Sequence, residues 1–275
     1  MKSKTILVMS IFAISLCSFA FTYSTQSIDT DPCGFENTSF VGGEKLVYKL
    51  YYNYGLLWIP AGEAEFTVKE NKDNYELFVT GKTYKSYETF FKVNDYFYSK
   101  IDKETLLPHN FVRKIEEGNY RLYDSIRFDQ AHKMAFSYHG KSKSQATSQV
   151  HQLNNCMQDI ISNVYYLRNV NASHMKKGDK LGTEMFFDKN VYPIQIGFGG
   201  NETKEIKGLG EFRTKKFVPS VVAGNVFKED DQLTVWVSDD RNQIPLMIES
   251  PISVGSVKAV LKSYSGLKHV LSSKI

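Results

Sequence analysis

Chemistry at neutral pH needs an activated nucleophile, a poised acid or base, or a metal-binding set. The sequence holds no Gly-x-Ser-x-Gly, no phosphate loop and no His-Glu-x-x-His. Gly197-Phe198-Gly199-Gly200 is rich enough in glycine to suggest a phosphate cradle. It follows an apolar run but opens no helix, and a helix N-terminus supplies the donors of such loops, so a wide hairpin turn is expected there. His151 and Cys156 lie close enough for a thiolate–imidazole pair, and a cysteine at the start of a helix would feel its dipole. The competing use of Cys156 is a disulfide with Cys33. The six histidines (109, 132, 139, 151, 174 and 269) show no His-x-His or His-x3-His spacing, so neither a metal nor another cofactor is expected. His132 and His139, seven apart across a β run, fall on opposite faces of it. Asp230-Asp231 and Asp239-Asp240 could act as paired carboxylates or hold calcium, but each sits in a polar turn, where Asp bonds to its own backbone.

Two aromatic groups are the remaining chemical signal. Tyr48, Tyr51, Tyr52, Tyr54 and Trp58 crowd one segment, and Phe90, Phe91, Tyr96, Phe97 and Tyr98 another. Alternation puts them on both faces of their strands. Ordinary sheet packing uses such residues, and so does an apolar cavity for a lipid-like ligand.

The elements that would carry these residues are mostly strands. Alternating or β-branched runs at 46–52, 61–69, 75–81, 93–101, 111–115, 120–128 and 133–138 are separated by turn residues, as in a meander. The Ser/Lys/Gln-rich stretch 141–149 reads as an exposed loop. One helix is expected at about 155–169, capped by Asn155 with Gln158 three residues on. Its apolar stripe contains Met157, Ile160, Ile161, Val164 and Tyr165 and ends at Arg168. Strands resume at 180–187, 191–198, 203–207, 210–218, 234–238, 244–249 and 254–264. The fold class is therefore mainly β: a large curved antiparallel sheet or partly closed β-barrel, with the amphipathic helix packed on it.

The ends and composition set the compartment. Lys2 and Lys4 precede an apolar run from Ile6 to Phe21, and Ser18-Phe19-Ala20 offers small residues for a signal peptidase. Residues 1–24 are read as a signal peptide, 25–39 as a polar segment and 40–275 as a single β-rich domain. Leu16 before Cys17 is too large for lipoprotein processing. No second run of spanning length follows. Removing Lys2 and Lys4 from 34 basic residues leaves 32 against 30 acidic, which argues against a nucleic-acid partner. Tyr and Phe number 17 and 19, a bias that favours pleated, half-buried surfaces. An outer-membrane barrel is disfavoured by the amphipathic helix and by the lack of sustained lipid-facing strands.

Three stretches together resemble a known family. They are Gly43-Glu44-Lys45-Leu46-Val47-Tyr48 with Ala61-Gly62-Glu63-Ala64; Gln158 to Arg168; and Val235-Trp236-Val237-Ser238-Asp239-Asp240 with Ile244-Pro245-Leu246 and Gly255-Ser256-Val257. In order and spacing, over about residues 40–265, they are similar to the bacterial exported proteins of domain of unknown function 3108. The resemblance implies a β-rich periplasmic or otherwise exported protein of a Gram-negative envelope, and it brings no catalytic residue. Three functions stay open. The leading one is non-enzymatic binding of an apolar or amphiphilic ligand, or of an envelope partner. The others are an envelope hydrolase acting on glycan or lipid, with a site assembled from residues distant in sequence, and a structural or assembly factor.

Overall fold

A computed structural model describes residues 27–28, 33–54, 57–89, 92–221, 233–251 and 255–275. The leader with its cleavage positions, Phe90, Phe91 and Asp230-Asp231 lie outside them. The strands are β1 (Ser27–Ile28), β2 (Lys45–Tyr54), β3 (Leu57–Glu70), β4 (Asn74–Thr83), β5 (Asn94–Asp102), β6 (Pro108–Glu117), β7 (Tyr120–Asp129), β8 (Met134–Gly140) and β9 (Thr147–Gln152). After the helix α1 (Ile160–Leu167) come β10 (Lys180–Phe187), β11 (Asn190–Ile206), β12 (Gly210–Val221), β13 (Thr234–Ser238), β14 (Pro245–Pro251) and β15 (Ser256–Ser265).

All fifteen strands form one open sheet in the order β1-β10-β11-β12-β13-β14-β15-β2-β3-β4-β5-β6-β7-β8-β9. Every neighbouring pair is antiparallel except β1 with β10. The chain meanders outward from β2 to β9, crosses through α1, and meanders back from β10 to β15, which pairs with β2 from Ser256↔Asn53 to Ser265↔Lys45. Two arms thus share a central join, and α1 lies in the link between their free ends.

Alternation shapes the first arm. Tyr75, Leu77 and Val79 of β4 and Leu122, Ile126 and Phe128 of β7 are buried, with polar or half-exposed residues between them. All of these but Leu122 meet Ile101, Phe111, Met157, Ile161 and Tyr165 in one core. Tyr166, Val170, Leu181, Ile194, Ile196 and Phe198 form a separate cluster between the helix and the second arm. A helix of eight residues is too short to hold alone in water, so this packing on both sides sustains it.

Three local expectations are corrected. The helix starts at Ile160, not near 155, and its N-cap is Asp159. Asp159 Oδ1 accepts from the amides of Ile161 and Ser162 at 2.7 and 2.9 Å, and the Asp159 amide donates to Ser162 Oγ at 2.8 Å. Asn155 loses that role because the preceding chain is held extended. The Met157 amide donates to Gln130 Oε1, and Gln158 bridges Met185 of β10. Second, the stretch 141–149 is not all loop, since from Thr147 it becomes β9. As an edge strand with both faces wet, β9 needs no apolar alternation, which hid it. Third, Gly197–Gly200 is no hairpin. β11 runs straight through it with a register shift between Phe198 and Gly200, where φ of +102° suits glycine. An interior glycine marked a bulge rather than a turn.

Candidate functional site: an apolar cavity between the helix and the second arm

Alpha-helical spacing divides α1 into faces. Ile161 and Tyr165 point into the first arm's core, whereas Ile160, Val164 and Leu167, at i, i+4 and i+7, are only half-buried. The second row forms the roof of a cavity of about 680 Å³. Its floor includes Ile194 and Ile196 of β11, Phe217 of β12, Val235 and Val237 of β13 and Ile248 of β14. Register places Phe217, Val235 and Ile248 side by side across three strands, so the floor is a continuous aliphatic surface. Trp236 belongs to the opposite face. Its indole N–H donates to Glu202, and Lys204 and Lys216 lie over its ring at 4.2 and 5.6 Å. Val235 and Val237 therefore face the cavity, whereas Trp236 packs into the core of the join.

Polar groups are few here, and of the two charged lining residues, Arg168 and Lys180, the first is already satisfied. Arg168, at the end of α1, donates two bonds to Glu44 at 2.6 and 2.8 Å, one to the Asn242 carbonyl at 3.1 Å and one to the Ser39 carbonyl at 3.3 Å. Both members are buried, Glu44 at 0 % exposure and Arg168 at 4 %. The carboxylate raises the arginine's pKa against the opposing effect of burial. Tyr48 and Tyr165 near this pair are both pushed up, chiefly by burial. The three stretches that carry the family resemblance meet here: Glu44 from the first, Arg168 from the second, Asn242 beside the third. In the lining, Gln243 donates to the carbonyls of Arg168 and Val170, and Asn163 accepts from Thr183 Oγ1 at 3.0 Å.

A second constellation lies at the rim of the first arm. Arg113, Asp124 and His139 sit opposite one another on β6, β7 and β8. Asp188, from the β10–β11 turn, joins them, and Arg113 bonds Asp124 at 3.2 Å and Asp188 at 3.3 Å. Asp124 has 0 % exposure, and burial raises its pKa while Arg113 opposes the rise. Asp124, His139 and Asp188 offer three ligand atoms within 4.8 Å of one another. Arg113 already pairs with both carboxylates and stacks on Phe187 at 4.2 Å, so the row acts as an ionic clasp between the arms. Histidine spacing could not reveal this group. The available signal was Asp124, a carboxylate on the apolar face of Leu122, Ile126 and Phe128.

The other sequence candidates disperse. Cys33 and Cys156 form a disulfide with Cα atoms 5.0 Å apart, so Cys156 offers no thiolate to His151. His151 instead meets Ser137 Oγ at 2.9 Å and packs on Phe186, and burial lowers its pKa. Ser137 is 1 % exposed, and no carboxylate bonds His151 among the described residues, so this pair is no hydrolase dyad. Asp240 accepts from Asn242 and Ser273 amides, and Asp239 pairs with Lys215 at 2.6 Å. That turn is half-buried and holds the C-terminal segment, rather than standing free in solvent. The described members of the aromatic groups do not line the cavity. Tyr48 Oη donates to the Pro245 carbonyl in the join's core, and Trp58 lies under Lys258. No helix among the described residues is long and apolar enough to cross a membrane.

The family described as "Protein of unknown function (DUF3108)" matches residues 47–262. No curated protein matches the chain. Among solved structures, a beta-barrel-like protein of domain of unknown function DUF1849 from Brucella abortus is similar at 9 % identity and a TM-score of 0.57. That likeness covers 82 % of this chain and 98 % of the other. A protein assigned as a lipoprotein from Parabacteroides distasonis aligns at 11 % identity and a TM-score of 0.35, over 85 % and 99 %. A protein assigned as exported, with a YmcC-like fold, from Bacteroides fragilis gives 11 %, 0.29, and the same coverage. The first shares the fold, and nothing beyond the fold follows from it. Overlap with the other two is too slight to show even that.

Proposed function

The chain belongs to the DUF3108 family, and we propose that it is an exported envelope protein that binds an apolar or amphiphilic ligand between α1 and the second arm. One observation carries the reading: the half-buried row Ile160, Val164 and Leu167 faces an aliphatic floor across about 680 Å³. Ligand pockets of small amphiphiles fall in the range of roughly 300–1,000 Å³ and are lined in this way, with few polar groups. Leaving such a surface uncovered forgoes about 25 cal/mol per Å² of burial, which an apolar ligand would recover. The leader-like residues 1–24 and the cysteine pair support an oxidising envelope location, and a single domain over 40–275 is part of the same proposal.

Mass spectrometry of the protein recovered from its own envelope tests this reading. The native spectrum should show a co-purified amphiphile that Val237→Trp, which fills the floor, removes. The denatured, unreduced chain should begin between Phe21 and Gln26 and weigh two hydrogens less than the dithiol. A ligand-free native protein that also fails to take up a neutral apolar dye would overturn the binding function. An intact Met1 or two free thiols would remove the export or the bridge.

A further inference from the structure

The cavity's polar atoms restrict what its ligand is. This step rests on the binding function proposed above and narrows it to one chemical class. Among the described residues, lining side chains on the inner face include no carboxylate, and the guanidinium of Arg168 is engaged by Glu44, Ser39 and Asn242. Lys180 borders the cavity, but it alternates with Leu181, whose side chain packs inward, and pairs with Gly197 on the outer face of the sheet. Among the described residues, an anionic head group drawn into this space would therefore meet no unengaged cation, and burying it so is costly.

What remains are two neutral carboxamides, each half used. Asn163 is 5 % exposed, and among the described residues its side chain makes one bond, the 3.0 Å contact accepted from Thr183 Oγ1, which leaves its Nδ2 donor without a partner there. Gln243 spends its Nε2 on the carbonyls of Arg168 and Val170, leaving its Oε1 acceptor without one. Asn163 belongs to the first turn of α1 and Gln243 packs at its last, so a donor and an acceptor flank the aliphatic row. Once a ligand excludes water from the cavity, an amide group left without a partner costs about 1–3 kcal/mol, so each favours a ligand that completes it.

We infer that the ligand is an uncharged acyl ester bearing a free hydroxyl. Its carbonyl accepts from Asn163, its hydroxyl donates to Gln243, and its chain lies along Ile194, Ile196, Val235 and Val237. A free fatty acid fits the chain but not the polar ends.

Displacement of a neutral fluorescent dye from delipidated protein, recovered from the envelope, tests this at pH 8. Monolaurin should compete about tenfold more strongly than laurate, the equivalent of roughly one net hydrogen bond. Asn163→Leu should bring the two ligands within about threefold of each other, mainly by weakening monolaurin. Thr183→Val removes the protein bond to Asn163 but leaves its amide in place, and should keep the preference. Thermal melts confirm that both variants fold. Laurate equal to or stronger than monolaurin would overturn the ester inference and leave the cavity reading standing. So would an Asn163→Leu variant that retains the full preference. Dye that neither ligand displaces would overturn both.

Discussion

The two arms of the sheet treat the same helix differently. On the side of the first arm, β4 to β7 close over Ile161 and Tyr165, both at 6 % exposure or less, with Phe40, Leu77, Ile101 and Phe111 filling the space. Towards the second arm, Ile160, Val164 and Leu167 face a floor of smaller, β-branched residues and leave about 680 Å³ unfilled. Bulky aromatics supply the first contact and are nearly missing from the second, where Phe217 is the single aromatic of the lining among the described residues. Interiors normally pack to crystal density, so space this large beside a well-packed core marks a division of labour within one sheet. The first arm holds the helix in place, and the second leaves room beside it.

The largest effect should come where the two regions are pinned together. Arg168 joins Glu44, ahead of the first arm, to the Asn242 carbonyl in the β13–β14 turn of the second. Arg168→Met would strand the buried Glu44 carboxylate and should cost about 3–5 kcal/mol in urea unfolding. Pairing it with Glu44→Leu should restore a good part of that loss, because the double variant leaves no buried charge. A double variant as unstable as Arg168→Met would mean that the carbonyl contacts, not the ion pair, fasten the arms.

The filled and open faces of α1 should differ next. Ile161→Ala opens a hole in a dense core and should cost about 2–5 kcal/mol. Val164→Ala, one turn on but facing the cavity, should cost about 1 kcal/mol or less while weakening ligand capture. Equal losses in the two melts would erase the distinction between the faces.

Much of this was legible in the sequence, for identifiable reasons. Strand periodicity located most of the sheet because one face is buried along each strand, as at Tyr75, Leu77 and Val79. The helix was legible as an apolar stripe. Failures arose where tertiary context overrode local pattern. Asn155 is a good cap, but chain already tied to Gln130 and β10 cannot turn helical. Gly197–Gly200 has turn composition, yet its long partner β12 continues past it. The site itself was hidden for a different reason. A cavity is defined by what neighbouring strands fail to fill, and pairing Val235 with Phe217 and Ile248 requires registers that no local spacing encodes. The aromatic clusters drew attention to the filled regions, whereas the open one is aliphatic.

The smallest expected effect concerns the N-terminus of α1, which the first arm holds through a buried carboxylate. Asp159 has 0 % exposure, and Ser99 Oγ of β5 donates to its Oδ2 at 2.5 Å. Burial raises its pKa from 3.8 to about 6, and the bonds from Ser99, Ile161 and Ser162 oppose the rise. A carboxyl whose pKa is higher folded than unfolded binds its proton more tightly in the folded state. Its contribution to stability is therefore complete below about pH 4 and is lost as the pH rises through about 6. Other acids titrate too: Asp124, Asp95 and Glu117 are also raised by burial, while Glu63 and Glu70 are lowered by their lysine partners. The informative quantity is thus the difference between wild type and Asp159→Asn. Asparagine keeps the cap, since its Oδ1 can accept from Ile161 and Ser162 while its Nδ2 donates to Ser99 Oγ. Urea melts at pH 4.5 and 7 should show the variant gaining on the wild type as the pH rises, with ligand capture by the second arm unchanged. A pH-independent difference would mean that Asp159 stays ionised under the helix. A variant that loses ligand capture at both pH values would show that the filled face sets the geometry of the open one.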